Sequence, residues 1–414
     1  MILRATARDD DPFDRQRRID WWRQEVAEQA RVFVIGAGAI GNEVIKNLLL
    51  LGFRDLLIWD FDTIEASNLS RTVLFRREDV GQSKARVAAE RARELALHPD
   101  ARIAWREGDV VWDLGLGLLR RADLVFGCLD NLEARMAINR ACRLVGVPWI
   151  DGGISELNSR VSVFLPGEGG CYECGMSAAD YHEARRHYSC DNVRRAMVAA
   201  ERLPTVQIAA AWCAAVQVQE GVKVLHGRTD MDARLISYSG AFNRFDVFTL
   251  PRRDDCLAHL SLPEPTPLPL THRARLRDFL AEVSRPERSG TGARMDLQGE
   301  RGFVVAAGCR RCRRQRPIMK PQFRVFDADL GCTSAVCEVY GDRPEAQPLP
   351  EGIPTETTIT AVFGLDVDPP ALLDCTLAEL GVPDGHIVPV ESATGEYTYF
   401  ELALVPDAPG GTVS

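Results

Sequence analysis

The stretch VIGAGAIGNEVIKNLLLLGFRDLLIWDFD, residues Val34–Asp62, decides how this chain is read. An apolar run leads into Gly36-x-Gly38-x-x-Gly41, a helical pattern follows, and a second apolar run ends in Asp60. Glycines at these spacings let the backbone turn tightly, approach a phosphate and pack the helix on its strand. The helix N-terminus offers free N–H donors to that phosphate. Asp60 falls roughly twenty residues past Gly41, where a carboxylate accepts from ribose hydroxyls. Dehydrogenases, flavoenzymes and ATP-using enzymes share this opening, so the cofactor has to be read from what lies further along.

Working outward, apolar strand-like runs alternate with helical patterns from Arg31 to about Pro166. RVFVIG, DLLIWD, ARIAWREG, ADLVFGC, VPWIDGG and RVSVFLP are expected strands; GNEVIKNLLLLG, GQSKARVAAERARELA and LEARMAINRACRLVG are expected helices. This alternation predicts an α/β fold with a mostly parallel sheet covered on both faces. Upstream, FDRQRRIDWWRQEVAEQA reads as one helix with aromatics along a side. Proline- and charge-rich sequence around 261–298 reads as a linker and one helix. Residues 355–405 alternate like strands around a short helix.

The chain has 414 residues, 46% hydrophobic and 26% charged, enough for two or three structural units. A net charge of −9 argues against general nucleic-acid binding. No run reaches the ~18 apolar residues of a membrane span, and no basic start precedes an apolar one. The expectation is a cytoplasmic protein with no membrane partner. Twelve cysteines in a reducing compartment are then thiols or metal ligands rather than disulfides.

The residues after Asp60 favour a triphosphate over a redox dinucleotide. DFDTIEASNLSR supplies Asn68 and Arg71, GQSKA supplies Lys84, and CLDNLEAR ends a strand with Asp130, Asn131 and Arg135. A hydride-transfer cofactor needs no such cationic cluster. A triphosphate does, usually with Mg²⁺, and an acid at the carboxyl end of a strand is placed to hold it. Taken singly, Asn68 is a turn cap and Arg71 and Lys84 are solvated charges; together they read as a site.

In order and spacing, GAGAIGNEVIKNLLLLGF, DFDTIEASNLSR, GQSKA and CLDNLEAR resemble the ThiF/MoeB/ubiquitin-activating enzyme superfamily over about residues 12–230. The resemblance implies a Rossmann-like adenylation domain that uses ATP and Mg²⁺ to adenylate the C-terminal glycine of a ubiquitin-like protein. It places Gly36, Gly38, Gly41, Asp60, Asp62 and Asn131 around the nucleotide. It puts Asn68, Arg71 and Lys84 on phosphates and Asp130 on the metal. FDRQ resembles the family's N-terminal Arg-Gln element, which makes Arg15 a finger acting in trans and implies a homodimer. The chain resembles bacterial members of the superfamily that serve ubiquitin-like conjugation pathways, some tied to phage defence.

The cysteines extend this reading. GCYECG presents Cys171 and Cys174, half of a tetrahedral zinc site. Where the family carries its second pair this chain has Cys256 and His259. GCRRC and GCTSAVC give Cys309, Cys312, Cys332 and Cys337, which read as a zinc ribbon. The competing arrangement pairs Cys171 and Cys174 with Cys309 and Cys312. Cys190 stands alone in YHEARRHYSCDNVRRAM, where four arginines and two histidines favour a thiolate. Family members place a reactive cysteine in this crossover segment, so Cys190 is the expected thioester carrier, against an inert loop thiol. Cys375 is the other possible carrier; Cys128, Cys142 and Cys213 read as small buried hydrophobes.

The expected organisation is an adenylation domain over 1–260 with a crossover loop at about 175–204, then the linker and helix of 261–298. A zinc-ribbon-like unit follows at 299–345, a small α/β domain at 352–406 and a tail at 407–414. TLAELGVPDGHIVPVE is similar to the ubiquitin-fold domain that docks the conjugating enzyme in eukaryotic activating enzymes. Alternatives are adenylation of a sulfur-carrier protein, a nicotinamide-dependent oxidoreductase, and a zinc scaffold with a dead nucleotide fold.

Overall fold

The computed structural model describes residues 11–167, 169–181, 204–228, 230, 232–297, 301–309, 314–330 and 355–405. Its main body is an eight-stranded sheet. The strands are β1 (Arg31–Ile35), β2 (Asp55–Trp59), β3 (Arg102–Arg106), β4 (Leu124–Gly127), β5 (Trp149–Ser155), β6 (Asn158–Phe164), β7 (Arg234–Ser239) and β8 (Arg244–Thr249). Their spatial order is β3-β2-β1-β4-β5-β6-β7-β8. The first five are parallel; β6, β7 and β8 continue antiparallel. The order reverses between β1 and β4, and an open parallel sheet binds ligands beyond the carboxyl ends of its strands at that point.

Among the described residues, four long helices cover the sheet: α1 (Ala39–Leu50), α2 (Lys84–Leu95), α3 (Leu132–Val145) and α4 (Gln207–Leu225). Their ends follow local chemistry. The Ser83 hydroxyl caps α2 by accepting from the Arg86 amide. Asn131 caps α3, its Oδ1 accepting from Ala134 N at 2.8 Å, and Gly146 stops it in a left-handed conformation (φ 71°). On one face Val32, Val34, Leu56 and Ile58 pack with α1, α2 and α4; on the other Phe33, Ile35, Leu57 and Trp59 pack with α3. Parallel strands buried on both faces explain the unbroken apolar runs.

The N-terminal segment departs from the expected single helix. It forms two short helices, Asp14–Arg17 and Gln24–Gln29. Between them Trp21 and Trp22 pack around His226 at the end of α4, with ring centroids 5.4 and 5.2 Å away. Seating both indoles on His226, with Trp22 buried and Trp21 left exposed, is incompatible with a continuous helix.

The described residues from Thr266 onward build a second unit with two small sheets. One joins β9 (Thr266–Leu268), β10 (Arg294–Asp296), β14 (Val362–Phe363), β15 (Ile387–Glu391) and β16 (Tyr397–Leu402). The other joins β11 (Phe303–Cys309), β12 (Gln315–Pro321) and β13 (Thr355–Thr360). Residues 261–298 are therefore more than a linker: β9, β10 and helix α5 (Leu276–Val283) share a core with the last strands through Phe279, Leu280, Met295, Phe363 and Phe400. This unit is fastened to the β3–β4 connection. Leu118 N donates to Gly385 O at 3.1 Å, Arg106 pairs with Asp384 at 3.1 Å and Arg120 with Glu401 at 2.6 Å. Trp112 lies flat on Phe323, centroids 4.6 Å apart. A Cβ at Gly115 would fall 2.0 Å from the Asp384 carbonyl oxygen, so the close approach requires glycine there. Among the described residues no helix is long and apolar enough to cross a membrane.

Candidate functional site

Parallel pairing brings the ends of the central strands level. Ile35 lies beside Trp59 on one side and Gly127 on the other, and Gly127 beside Asp151. The next residues, Gly36, Asp60 and Cys128, therefore gather at the switch point. Gly36 has φ 97°, and a Cβ on it would meet the Cys128 carbonyl oxygen at 2.3 Å. A Cβ on Gly41 would meet the Gly36 oxygen at 1.9 Å, which holds helix and strand together. Gly38 has nothing within 4 Å in that direction. The loop thus needs two glycines for its own packing and keeps the third facing open space, at the N-terminus of α1.

Asp60 is buried. Its Oδ2 accepts from Ala37 N at 2.7 Å and its Oδ1 from Asp62 N at 2.8 Å. Burial pushes its carboxyl up to about 6, against the pull of Lys84. Lys84 Nζ reaches Asp62 Oδ2 at 2.7 Å. Burial disfavours its charge, but Asp60 and Asp62 outweigh that and hold the ammonium above its ordinary value. The strand-like pairing of Thr63 with Ser83 sets this contact. A carboxylate and an ammonium, both partly desolvated, thus flank the loop.

The other expected residues are placed less uniformly. Asn68 is buried and its Oδ1 caps a 3₁₀ turn by accepting from Glu65 N at 2.9 Å. Arg71 is half-buried, with Nη1 donating to Ser67 O at 3.3 Å. Asp130 is exposed, and Asn131 Nδ2 approaches its Oδ1 at 3.4 Å. Arg15 lies exposed on the first short helix. Cys190 lies outside the described residues.

Two polar residues in this region were not singled out from sequence. Asn42 is fully buried; Nδ2 donates to Ala37 O (2.7 Å) and Gly38 O (3.1 Å), and Oδ1 accepts from Leu74 N (2.9 Å). It ties the glycine loop to the segment that carries Arg71. Gln217 on α4 donates to Gly127 O (3.0 Å) and Ile150 O (3.1 Å). The signal for both is a carboxamide inside an otherwise apolar helical face, which demands a partner when buried.

The second cluster lies near the far end of α3. Cys171, Cys174, Cys256 and His259 place one donor atom each within 4.8 Å of one another. Cys171 Sγ is 3.8 Å from Cys174 Sγ and 3.7 Å from Cys256 Sγ. Four ligands around a metal with ~2.3 Å sulfur bonds have edges of about 3.8 Å, so these thiols fit a tetrahedral ion. Burial pushes Cys256 up to about 12 and raises Cys171, while Cys174 is held low despite its burial by donors that include Arg253 N at 3.4 Å. His259 is the least settled donor. Its Nε2 is 3.1 Å from Cys174 Sγ, and its Nδ1 is 2.5 Å from Arg143 Nη2. Arg143 only donates, so Nδ1 accepts and the ring proton faces Cys174; ligation through Nε2 moves that proton to Nδ1 and requires the Arg143 contact to open. Cys309 is buried at the end of β11 and is not in this group. Cys312, Cys332 and Cys337 lie outside the described residues. Cys128, Cys142 and Cys213 are buried, and burial raises all three. Burial, Glu379 and Asp374 also raise Cys375.

The model of the ThiF family matches residues 13–258, more than half of the chain. The chain belongs to the ThiF family. Curated relatives of this ThiF protein include SUMO-activating enzyme subunit 2 of Dictyostelium discoideum, 40% identical over 148 residues (36% of this chain, 22% of that protein). The NEDD8-activating enzyme E1 catalytic subunit of the same organism is 39% identical over 166 residues, 36% of each chain. The matches take in between 22% and 40% of the length of such relatives. Among solved structures, MccB from E. coli has a TM-score of 0.50 at 19% identity, covering 63% of this chain and 75% of that one. The microcin C7 biosynthetic enzyme MccB in complex with N-formylated MccA gives 0.51 at 19%, covering 61% and 75%. These structural likenesses describe the fold.

Proposed function

We propose that this chain adenylates the C-terminal glycine of a ubiquitin-like protein with ATP, takes the acyl group as a thioester on Cys190, and hands it to a conjugating enzyme. The observation that carries the reading is the gathering of the glycine loop, Asp60 and the Asp130 turn around the switch point of a ThiF-family sheet. The residues fit ATP: Gly38 leaves room above the loop, and Asp60 offers carboxylate oxygens next to that space. Lys84, Arg71 and Arg15 of a second copy supply positive charge. Asp130 would hold Mg²⁺, which neutralises phosphate charge when bound.

On this reading the chain's groups act by position and charge. Asp60 accepts from ribose hydroxyls and orients the nucleoside. Lys84 and Arg71 draw the phosphates toward the approaching carboxylate, offsetting the repulsion between two anions. The α1 N-terminus stabilises charge at the loop. Cys171, Cys174, Cys256 and His259 would hold zinc, a structural ion because four protein ligands leave no open position. Residues 1–260 form the adenylation domain, with the crossover loop at about 175–204, and 299–345 a zinc-ribbon-like unit with Cys309, Cys312, Cys332 and Cys337. The protein acts as a cytoplasmic homodimer. The sulfur-carrier reading shares the first step and lacks transfer to a second protein's cysteine.

The test supplies ATP, Mg²⁺ and the proteins co-expressed from the neighbouring genes as candidate substrates. A thiol-sensitive mass adduct is expected in the parent protein and not in Cys190→Ala, whereas ATP–pyrophosphate exchange, which precedes the thiol step, continues. An adduct that survives Cys190→Ala moves the carrier role to another thiol; exchange without any adduct favours sulfur-carrier activation.

A further inference from the structure

Under the Asp130 turn lies a buried ion pair. Arg135 stands on the first turn of α3, and its Nε donates to Asp151 Oδ1 at 3.0 Å. Its Nη2 donates to Leu129 O at 2.5 Å and to Gly152 O at 3.2 Å. Asp151 has no solvent exposure, and its Oδ2 is buried without a hydrogen-bond partner. Such an arrangement is costly as mere packing, since apolar residues of similar size commonly fill the space as well or better. It grips two backbone carbonyls, Gly152 O and, at the shorter distance, the carbonyl immediately before Asp130.

We infer that Arg135, anchored by Asp151, is a positioning residue for Asp130 and sets the metal affinity of the nucleotide site. The turn from Gly127 to Asn131 is fixed at both ends by other means. Gln217 holds Gly127 O at 3.0 Å, the Cys128 amide donates to Ile35 O at 2.8 Å, and Asn131 caps α3. Between those ends, Leu129 O is held by Arg135. A planar guanidinium can donate along several directions at once, which lets it grip Asp151, Leu129 and Gly152 together; an ammonium has no such fork. Without that grip the peptide plane between Leu129 and Asp130 is free to tilt, carrying the exposed carboxylate with it. Partners that orient metal ligands typically change metal affinity 10–100-fold when removed.

The inference rests on the reading of Asp130 as the metal ligand, so the experiment measures both. Mn²⁺ binding to the full chain, saturated with a non-hydrolysable ATP analogue, is read by the loss of the free-ion electron paramagnetic resonance signal. Analogue affinity without metal and the thermal midpoint are measured in parallel. Arg135→Gln is expected to weaken Mn²⁺ binding about tenfold while metal-free analogue affinity stays within about twofold. Arg135→Lys, which keeps the charge opposite Asp151 and protects the fold, is expected to fall between. Unchanged Mn²⁺ affinity in folded Arg135→Gln, or in Arg135→Lys if the glutamine variant does not fold, overturns the inference. So does a loss of analogue affinity that matches the loss of metal affinity, because that marks a general structural role. If Asp130→Asn binds Mn²⁺ as tightly as the parent, the assignment of Asp130 fails first and the inference falls with it.

Discussion

The nucleotide crevice and the cysteine cluster are assembled from similar materials and behave oppositely. Each gathers side chains from distant parts of the sequence onto backbone amides. The crevice stays open: Gly38 borders open space and Asp130 is exposed. In the cluster the donor atoms point at one another, with three thiols and an imidazole nearly filling a tetrahedron. An open arrangement suits a ligand that comes and goes; a closed one suits an ion that stays. On the proposed function, the crevice should set rates and the cluster stability.

Mutation can break that contrast. The largest expected effect is in the crevice. Asp130→Ala should lower ATP–pyrophosphate exchange about 10³-fold, several kcal/mol of lost charge stabilisation. Because the side chain is exposed, its thermal midpoint should stay within a degree or two of the parent. A large fall in midpoint would show that Asp130 holds the fold instead.

The cluster should respond in the other sense. Cys174→Ser, or extraction with a strong chelator, is expected to remove about one zinc per chain and lower the thermal midpoint by on the order of 10 °C. Metal-free adenosine binding, read on the surviving folded fraction, should be kept. A midpoint indifferent to chelation would mean that the thiols pack without an ion.

The smallest effect sharpens the electrostatics of the crevice. Asp60 has its carboxyl raised to about 6, so its acceptor oxygens are available above that pH and progressively protonated below it. Thermal stabilisation by adenosine, which has ribose hydroxyls and no phosphate to titrate, should fall as pH drops through about 6. Lys84 pulls the Asp60 value down, so Lys84→Met should move that midpoint upward. A profile identical in the variant would show that the two charges do not communicate.

Much of this was legible in the sequence because the determinants are local. A glycine loop between an apolar strand and a helix announces the α/β fold, and the acids and cations follow at fixed distances. Cys171 and Cys174 announce a metal knuckle by spacing alone. The completion of that site by Cys256 and His259 came from family resemblance, since ligands some eighty residues away carry no local signal. Asp151 was less visible: in VPWIDGG it reads as a strand end, and only the lateral pairing with β4 brings it beneath Arg135. The Trp21–Trp22 pair misled for the opposite reason, because its partner His226 lies on an element two hundred residues later. Likewise the three-residue strands β9 and β10 are too short for periodicity, and only pairing with β14, β15 and β16 makes them strands.

The seam at Gly115 has a practical corollary. Trimming the chain near residue 260 would strip Phe323 from Trp112, Asp384 from Arg106 and Glu401 from Arg120. What remained would display a greasy scar with orphaned cations. The front half behaves as a tenant of the whole molecule, and attempts to harvest it by truncation should yield aggregates unless that scar is redesigned.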